Sequence, residues 1–174
     1  MTLRCVGGGW LAAVCLLAAH IACGQTSTPP VERITAFVLQ DQYGTNHTLS
    51  LPLRRLTLFT VADKQGADEV AGWVSPVYLL YSNRLDIVGI ANVSAAPRWW
   101  QGQVRRDIRR TYAHPVLLDW TGAVTASFGA AHTALAVFVA RPDGAIIYRQ
   151  TGPATAAALE RLLQLLAAEL KQQP

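Results

Sequence analysis

Apolar residues in this chain fall into short continuous runs that alternate with stripes at helical spacing. Ile34 to Leu39 reads as a short apolar strand, closed by Asp41-Gln-Tyr-Gly44, a reversal with glycine where such turns prefer it. Leu56 to Val61 is a second strand, nearly continuous in apolar character, as a strand buried on both faces should be. It runs into the polar stretch Asp63-Lys-Gln-Gly66. Beyond that, Val70, Trp73, Val74, Val77 and Tyr81 recur at helical spacing, with Asp68 and Glu69 where a helix N-terminus favours negative charge. Pro76 is expected to kink this helix, because proline lacks the N–H that the helical ladder needs.

Leu85 to Val93 predicts a third strand, and the stretch from about Pro97 to Thr111 a helix on which Trp100, Val104 and Ile108 share a face. Pro115 to Leu118 is a further extended run. Leu135 to Ala140 and Ala145 to Tyr148 flank Arg141-Pro-Asp-Gly144, whose proline and glycine suit a type I turn, so the segment predicts a hairpin. Gly152 and Pro153 then open a last helix with Leu159, Leu162, Leu163, Leu166 and Leu170 in one stripe. Strand, strand, helix, strand, helix, hairpin, helix is an α/β order. It implies a mixed central sheet with helices on both faces and right-handed crossovers between parallel strands.

The beginning of the chain has a different character. Arg4, a mostly apolar run from Trp10 to Ala22 and then small residues follow the order of a secretory signal. The run is shorter than the roughly 20 apolar residues of a spanning helix and is broken by His20. The expected organisation is a signal peptide over 1–24, a linker over 25–32 and one folded domain over 33–174. Two processing sites compete. Ala22-Cys23-Gly24 fits small-x-small cleavage before Gln25, whereas Ile21-Ala22-Cys23-Gly24 resembles a bacterial lipobox, which would leave Cys23 as a lipidated N-terminus. His20 stands where a lipobox usually has leucine. Either route places the protein in the periplasm or cell envelope. All the cysteines, Cys5, Cys15 and Cys23, lie in this leader, so no structural disulfide is expected even in an oxidising compartment. Fifteen basic against 11 acidic residues is too mild an excess to argue for nucleic acid.

Three segments carry a family likeness: Phe37-Val-Leu-Gln-Asp-Gln-Tyr-Gly44; Val116-Leu-Leu-Asp-Trp-Thr-Gly122 followed by Ser127-Phe-Gly129; and Val137-Phe-Val-Ala-Arg-Pro-Asp-Gly-Ala-Ile-Ile-Tyr148. In this order and spacing, Phe37 to Leu166 resembles the thioredoxin-like superfamily. The nearest branch is the redoxins, which include peroxiredoxins of the alkyl hydroperoxide reductase and thiol-specific antioxidant type and periplasmic thiol-disulfide proteins. The resemblance implies a thioredoxin-like fold. It also implies a reactive cysteine just after the second strand, at the start of the next helix, where the helix N-terminus lowers the thiol pKa. Counted from Phe59, the usual cysteine pair falls at Lys64 and Ala67; counted from Pro76, it falls at Asp68 and Ala71. No residue from Leu56 to Tyr81 is a cysteine under either register. Asp63, Lys64, Gln65, Ala67, Asp68 and Ala71 therefore mark a degenerate active-site loop with no catalytic residue. The family also places a cis-proline before the hairpin strand to open a groove for extended substrates. Leu135 stands at that position, and because a non-proline cis bond costs about 2.5–4 kcal/mol, a trans Ala134–Leu135 peptide is predicted.

Other chemistry is sparse. Lys64 and Ser75 have no histidine nearby in sequence to activate them. His47, His114 and His132 stand on separate segments without ligand-type spacing, and copper-binding relatives of this fold use two cysteines with a histidine, so neither a metal nor another cofactor is expected. Arg98, Arg105, Arg106, Arg109 and Arg110 crowd one helix beside Trp99 and Trp100. They form either a surface for anionic headgroups or an acidic partner, or a solvated basic face with Trp100 buried. Trp73, Trp120 and Phe128 read as core anchors. The expectation is an exported, non-catalytic binding or assembly module whose partner is another envelope protein; under the lipobox reading, a lipid on Cys23 would tether it to a membrane. The alternative is a thiol-disulfide or peroxide oxidoreductase acting by a cysteine-independent or partner-assisted route.

Overall fold

The computed structural model describes residues 32–171; the leader with Cys23 and most of the predicted linker lie outside them. The elements are β1 (Phe37–Asp41), β2 (Asn46–Leu49), β3 (Thr57–Ala62), α1 (Val70–Tyr81), β4 (Asp86–Asn92), α2 (Gln101–Thr111), β5 (Leu117–Asp119), α3 (Ala123–Ser127), β6 (Leu135–Ala140), β7 (Ile146–Thr151) and α4 (Ala156–Lys171). Short 3-10 turns, Ala67–Glu69 and Arg98–Trp100, lead into α1 and α2. The strands form one mixed sheet in the order β2-β1-β5-β4-β3-β6-β7, parallel between β3, β4 and β5 and antiparallel elsewhere.

Every residue of β3 is buried, and because successive side chains point to opposite faces, this one strand feeds two cores. Leu58 and Ala62 join Leu135, Val137 and Val139 of β6 beneath α1 and α4, which contribute Trp73, Val77, Leu162, Leu166 and Leu170. Phe59 and Val61 join Ile90, Ala136 and Phe138 on the other face. Phe128, at the end of α3, covers that face, its ring centroid 5.4 Å from Phe59 and 5.2 Å from Phe138. Helices thus cover both faces. Pro76 lies inside α1, which stays continuous across it.

The strands adjoin their predicted positions with shifts of a few residues. The first begins at Phe37, while Ile34 is a buried side chain of the second core. Two elements have no apolar signature in the sequence. Asn46-His-Thr-Leu49 pairs with β1 as an edge strand that alternates exposed and half-buried residues, and α3 has one helical turn and a bit, too short for a period to register. The last helix starts at Ala156 because Gly152, at φ +81°, forms a turn whose N–H donates to Leu135 O at 2.9 Å. Trp73 Nε1 donates to Gly152 O at 3.0 Å, fixing that turn over the first core.

Three buried polar side chains tie the loops down. Asp41 Oδ1 accepts the Tyr43 and Thr45 N–H groups, and its Oδ2 shares a 2.8 Å bond with His47 Nε2. The fully buried amide of Gln42 donates from Nε2 to His114 O at 2.8 Å and accepts the Val116 N–H at 2.8 Å on Oε1. Asp119 takes the N–H groups of Gly122 and Thr125 at 2.8 Å, capping α3. The Asp-x-x-Gly pattern at Asp41 and at Asp119 is thereby explained: carboxylate and positive-φ glycine, +88° at Gly44 and +72° at Gly122, build the same kind of turn.

Burial pushes the Asp41 carboxyl pKa up, but the hydrogen bonds from His47, Thr45 and Tyr43 outweigh it and hold the value below the ordinary 3.8. The Arg141 hydrogen bond does the same for Glu169, below its ordinary 4.5. A depressed carboxyl stabilises the fold above its unfolded pKa, and that contribution is lost as pH falls through the folded value. Stability should therefore decline on acidification below those ordinary values. His47→Ala removes one of the bonds holding Asp41 down, so the acid transition followed by circular dichroism should move to higher pH.

Candidate functional site

The segment joining β3 to α1 is shaped by Asp63. Its Oδ1 accepts the N–H groups of Gln65 at 2.8 Å and Gly66 at 3.0 Å, folding 63–66 back on itself. Its own N–H donates to Ala134 O at 2.9 Å, extending the β3–β6 pairing by one bond and tying the loop to the entry of β6. Gly66 is buried against the same peptide. A β-carbon placed on it would lie 2.1 Å from Ala134 O and 2.9 Å from the Leu135 side chain. The loop and Leu135 are thus brought together, with a backbone-to-backbone contact where a side chain would otherwise project. The Ala134–Leu135 peptide is trans; the cis bond among the described residues is Leu51–Pro52.

A shallow cleft of about 270 Å3 opens beside this contact, lined by Gln65, Gly66, Glu69, Thr133, Leu135 and Gly152 among others. Glu69 is the titratable side chain in the lining. A lone carboxylate can accept a hydrogen bond or pair with a cation, but it cannot exchange electrons; the other side-chain groups of reactive type in the lining are the hydroxyls of Thr151 and of Thr133, the latter donating to Ala130 O. Of the remaining loop residues, Lys64, Asp68 and Ala71 are exposed and Ala67 is half-buried. The contact residue, Gly66, lies inside the pair counted from the strand, Lys64 and Ala67. The available signal for it was a glycine ending a polar stretch, which marks close backbone approach.

The arginine cluster divides in two. Arg105 donates to Asp41 O at 2.8 Å and Gln40 Oε1 at 2.9 Å, and Arg109 donates to Gln42 O at 2.7 Å. Their guanidiniums also lie over the rings of Trp120 and Tyr43, at 5.5 and 5.6 Å from the centroids. These two clamp α2 to the β1–β2 turn. Arg98, Arg106 and Arg110 are exposed. Trp100 is 47% exposed, which corrects the reading that buries it, and Trp99 is 82% exposed. Of the core anchors, Trp73 and Phe128 are buried, whereas Trp120 is half-buried, with its Nε1 enclosed and unpartnered.

His47 is engaged by Asp41, His114 lies edge-on to Tyr112 and His132 is exposed. Among the described residues no three His, Cys, Asp or Glu side chains converge as metal ligands, and no helix is long and apolar enough to cross a membrane. Cys23 lies outside the described residues.

Because the Gly66 contact is with backbone, Gly66→Ala cannot be absorbed by a side-chain rotation. It should cost about 1–3 kcal/mol or more, read as a lowered urea midpoint.

No protein-family model and no curated protein sequence matches the chain. Solved structures do. A Chlorobium tepidum protein assigned as the thiol:disulfide interchange protein DsbE aligns with a TM-score of 0.63 at 16% identity, over 80% of this chain and 96% of its own. A Bacteroides thetaiotaomicron protein assigned as a disulfide isomerase aligns at 0.63 and 14%, over 82% and 90%. The exposed lipoprotein thioredoxin Etrx1 of Streptococcus pneumoniae aligns at 0.61 and 12%, over 75% and 99%. At these identities the likeness concerns architecture, and with the mixed sheet and its helices described above it gives this chain a thioredoxin-like fold.

Proposed function

We propose that this chain is a thioredoxin-fold protein of the redoxin branch that has given up thiol chemistry and serves as a binding or assembly module of the cell envelope. One observation carries the reading. Where a redox member needs a nucleophilic sulfur, the loop holds Lys64 and Ala67 or Asp68 and Ala71, with Gly66 beside them packed on the Ala134 carbonyl, and residues 24–174 contain no cysteine. The Asp41–Gly44 and Asp119–Gly122 turns, followed by the hairpin, support the redoxin branch. The leader supports export, and lipid on Cys23 would hold the domain at a membrane within reach of an envelope partner. The protein assigned as DsbE and Etrx1 are named for thiol exchange or thioredoxin, which favours the rival reading of an oxidoreductase, but shared architecture is a weak warrant for shared chemistry.

The test is thiol-dependent insulin reduction and peroxide consumption by the full chain and by its Cys5→Ser/Cys15→Ser/Cys23→Ser variant. Both should run at the rate of buffer. Turnover that needs a reductant would overturn the proposal, and its loss in the serine variant would locate the chemistry in the leader. Cys23→Ser alone should turn the membrane-bound protein from salt-resistant to extractable by a high-salt wash, which screens surface charge, as followed by fractionation.

A further inference from the structure

Trp99 and Trp100 are the exposed tryptophans among the described residues. Trp73 and Phe128 are buried, but these two indoles stand out in solvent, 82% and 47% exposed, stacked on each other with centroids 5.9 Å apart. No residue of the 3-10 turn that carries them, or of α2 after it, is buried. Core packing therefore does not account for them. Gln103, Arg106 and Arg110 follow at spacings of three and four, which sets them on one stripe of α2, and Trp99 stands in the 3-10 turn that leads into it. Arg106 Nη2 donates to Gln103 Oε1 at 2.9 Å, as neighbours on such a stripe should. Arg98 precedes the indole pair and is also exposed. The one carboxylate on α2, Asp107, is engaged by Gln103 Nε2 at 2.7 Å.

We propose that Trp99 and Trp100, with Arg98, Arg106 and Arg110, form an interfacial anchor for an anionic lipid bilayer. Indole combines a large apolar ring with a polar N–H and partitions to the headgroup level of membranes, while arginine pairs with lipid phosphates. A polybasic surface gains roughly 1 kcal/mol for each Lys or Arg near anionic lipid. The occupant is a bilayer rather than an acidic protein because the two indoles stand out in solvent, stacked on each other beside exposed guanidiniums, and neither the cleft at Leu135 nor one of about 320 Å3 beside Pro52 is lined by them. Protein hot spots seat aromatic side chains in pockets, whereas an exposed indole pair suits a deformable lipid surface. Arg105 and Arg109 are not part of the anchor, since both are committed to β1 and its turn. The inference does not rest on the proposed function or on lipidation of Cys23.

The test uses the full chain carrying Cys23→Ser and Trp10→Phe, so that neither an acyl chain nor the leader's indole contributes, on vesicles of phosphatidylcholine with or without phosphatidylglycerol. Any contribution of the leader is common to all variants. The chain should prefer the anionic vesicles, with the preference falling roughly fivefold for each of Arg98, Arg106 and Arg110 changed to Gln. Brominated lipid should quench tryptophan fluorescence, and Trp99→Phe/Trp100→Phe should remove most of that quenching; Trp99→Ala/Trp100→Ala should weaken binding with an unchanged urea midpoint. Equal partition on both vesicles, or full binding by the double Ala variant, would overturn the anchor. Arginine-dependent binding without quenching would also overturn it, pointing instead to an acidic protein surface.

Discussion

Strand β3 is the constraint on which the rest depends. It is paired on one side with β4 and on the other with β6, and all of its residues are buried, so its alternating side chains commit Leu58 to one core and Phe59 to the other. A strand in that position has no freedom of register, because a slip by one residue would exchange the two sets. The place where it ends is therefore fixed too. Ala62 lies opposite Leu135, and the chain beyond must leave the sheet beside the entry of β6. Loop 63–66 meets Ala134 and Leu135 for that reason, whatever chemistry the loop carries.

What the two loops do on meeting is a separate matter. In a redox member of the superfamily, the resemblance implies a thiol and a cis-proline at this junction. Here the junction is closed from both sides. The Ala134 carbonyl accepts the Asp63 N–H, the Leu135 carbonyl accepts the Gly152 N–H, and Gly66 fills the remaining space with backbone. Both carbonyls of the β6 entry are engaged in holding the fold, and the adjoining cleft is left with a single carboxylate, Glu69.

Much of this was legible in the residues, in proportion to how strongly burial acts on them. Continuous apolar runs announced β3, β4 and β6, and the leucine stripe announced α4: β3 and β6 are buried throughout, α4 turns a buried face to the first core, and β4 is at least half-buried along its length. The edge strand β2 left little trace because half of its residues face solvent. The short α3 left none because its start is set by one buried carboxylate, Asp119, rather than by a period. The candidate site was legible as an absence of cysteine. Its actual closure by Gly66 was not, since a close approach between two backbones depends on tertiary placement and puts no chemical label on the glycine. The roles of Arg105 and Arg109 were likewise hidden: on the helix they look like Arg106 and Arg110, and only the position of the β1–β2 turn separates clamps from free cations.

That separation bears on how the molecule comes apart. Helix α1 and helix α4 are held by side chains sunk in a core, so releasing either exposes a large apolar area. Helix α2 buries no residue and is fastened at its flank by guanidinium groups reaching carbonyl oxygens of residues 41 and 42. Its release forfeits a few polar bonds that water can replace, and leaves both hydrophobic clusters sealed. Among the longer helices it is thus the one with the shallowest energetic well, a region of sub-global opening carried on a scaffold that stays shut beneath it.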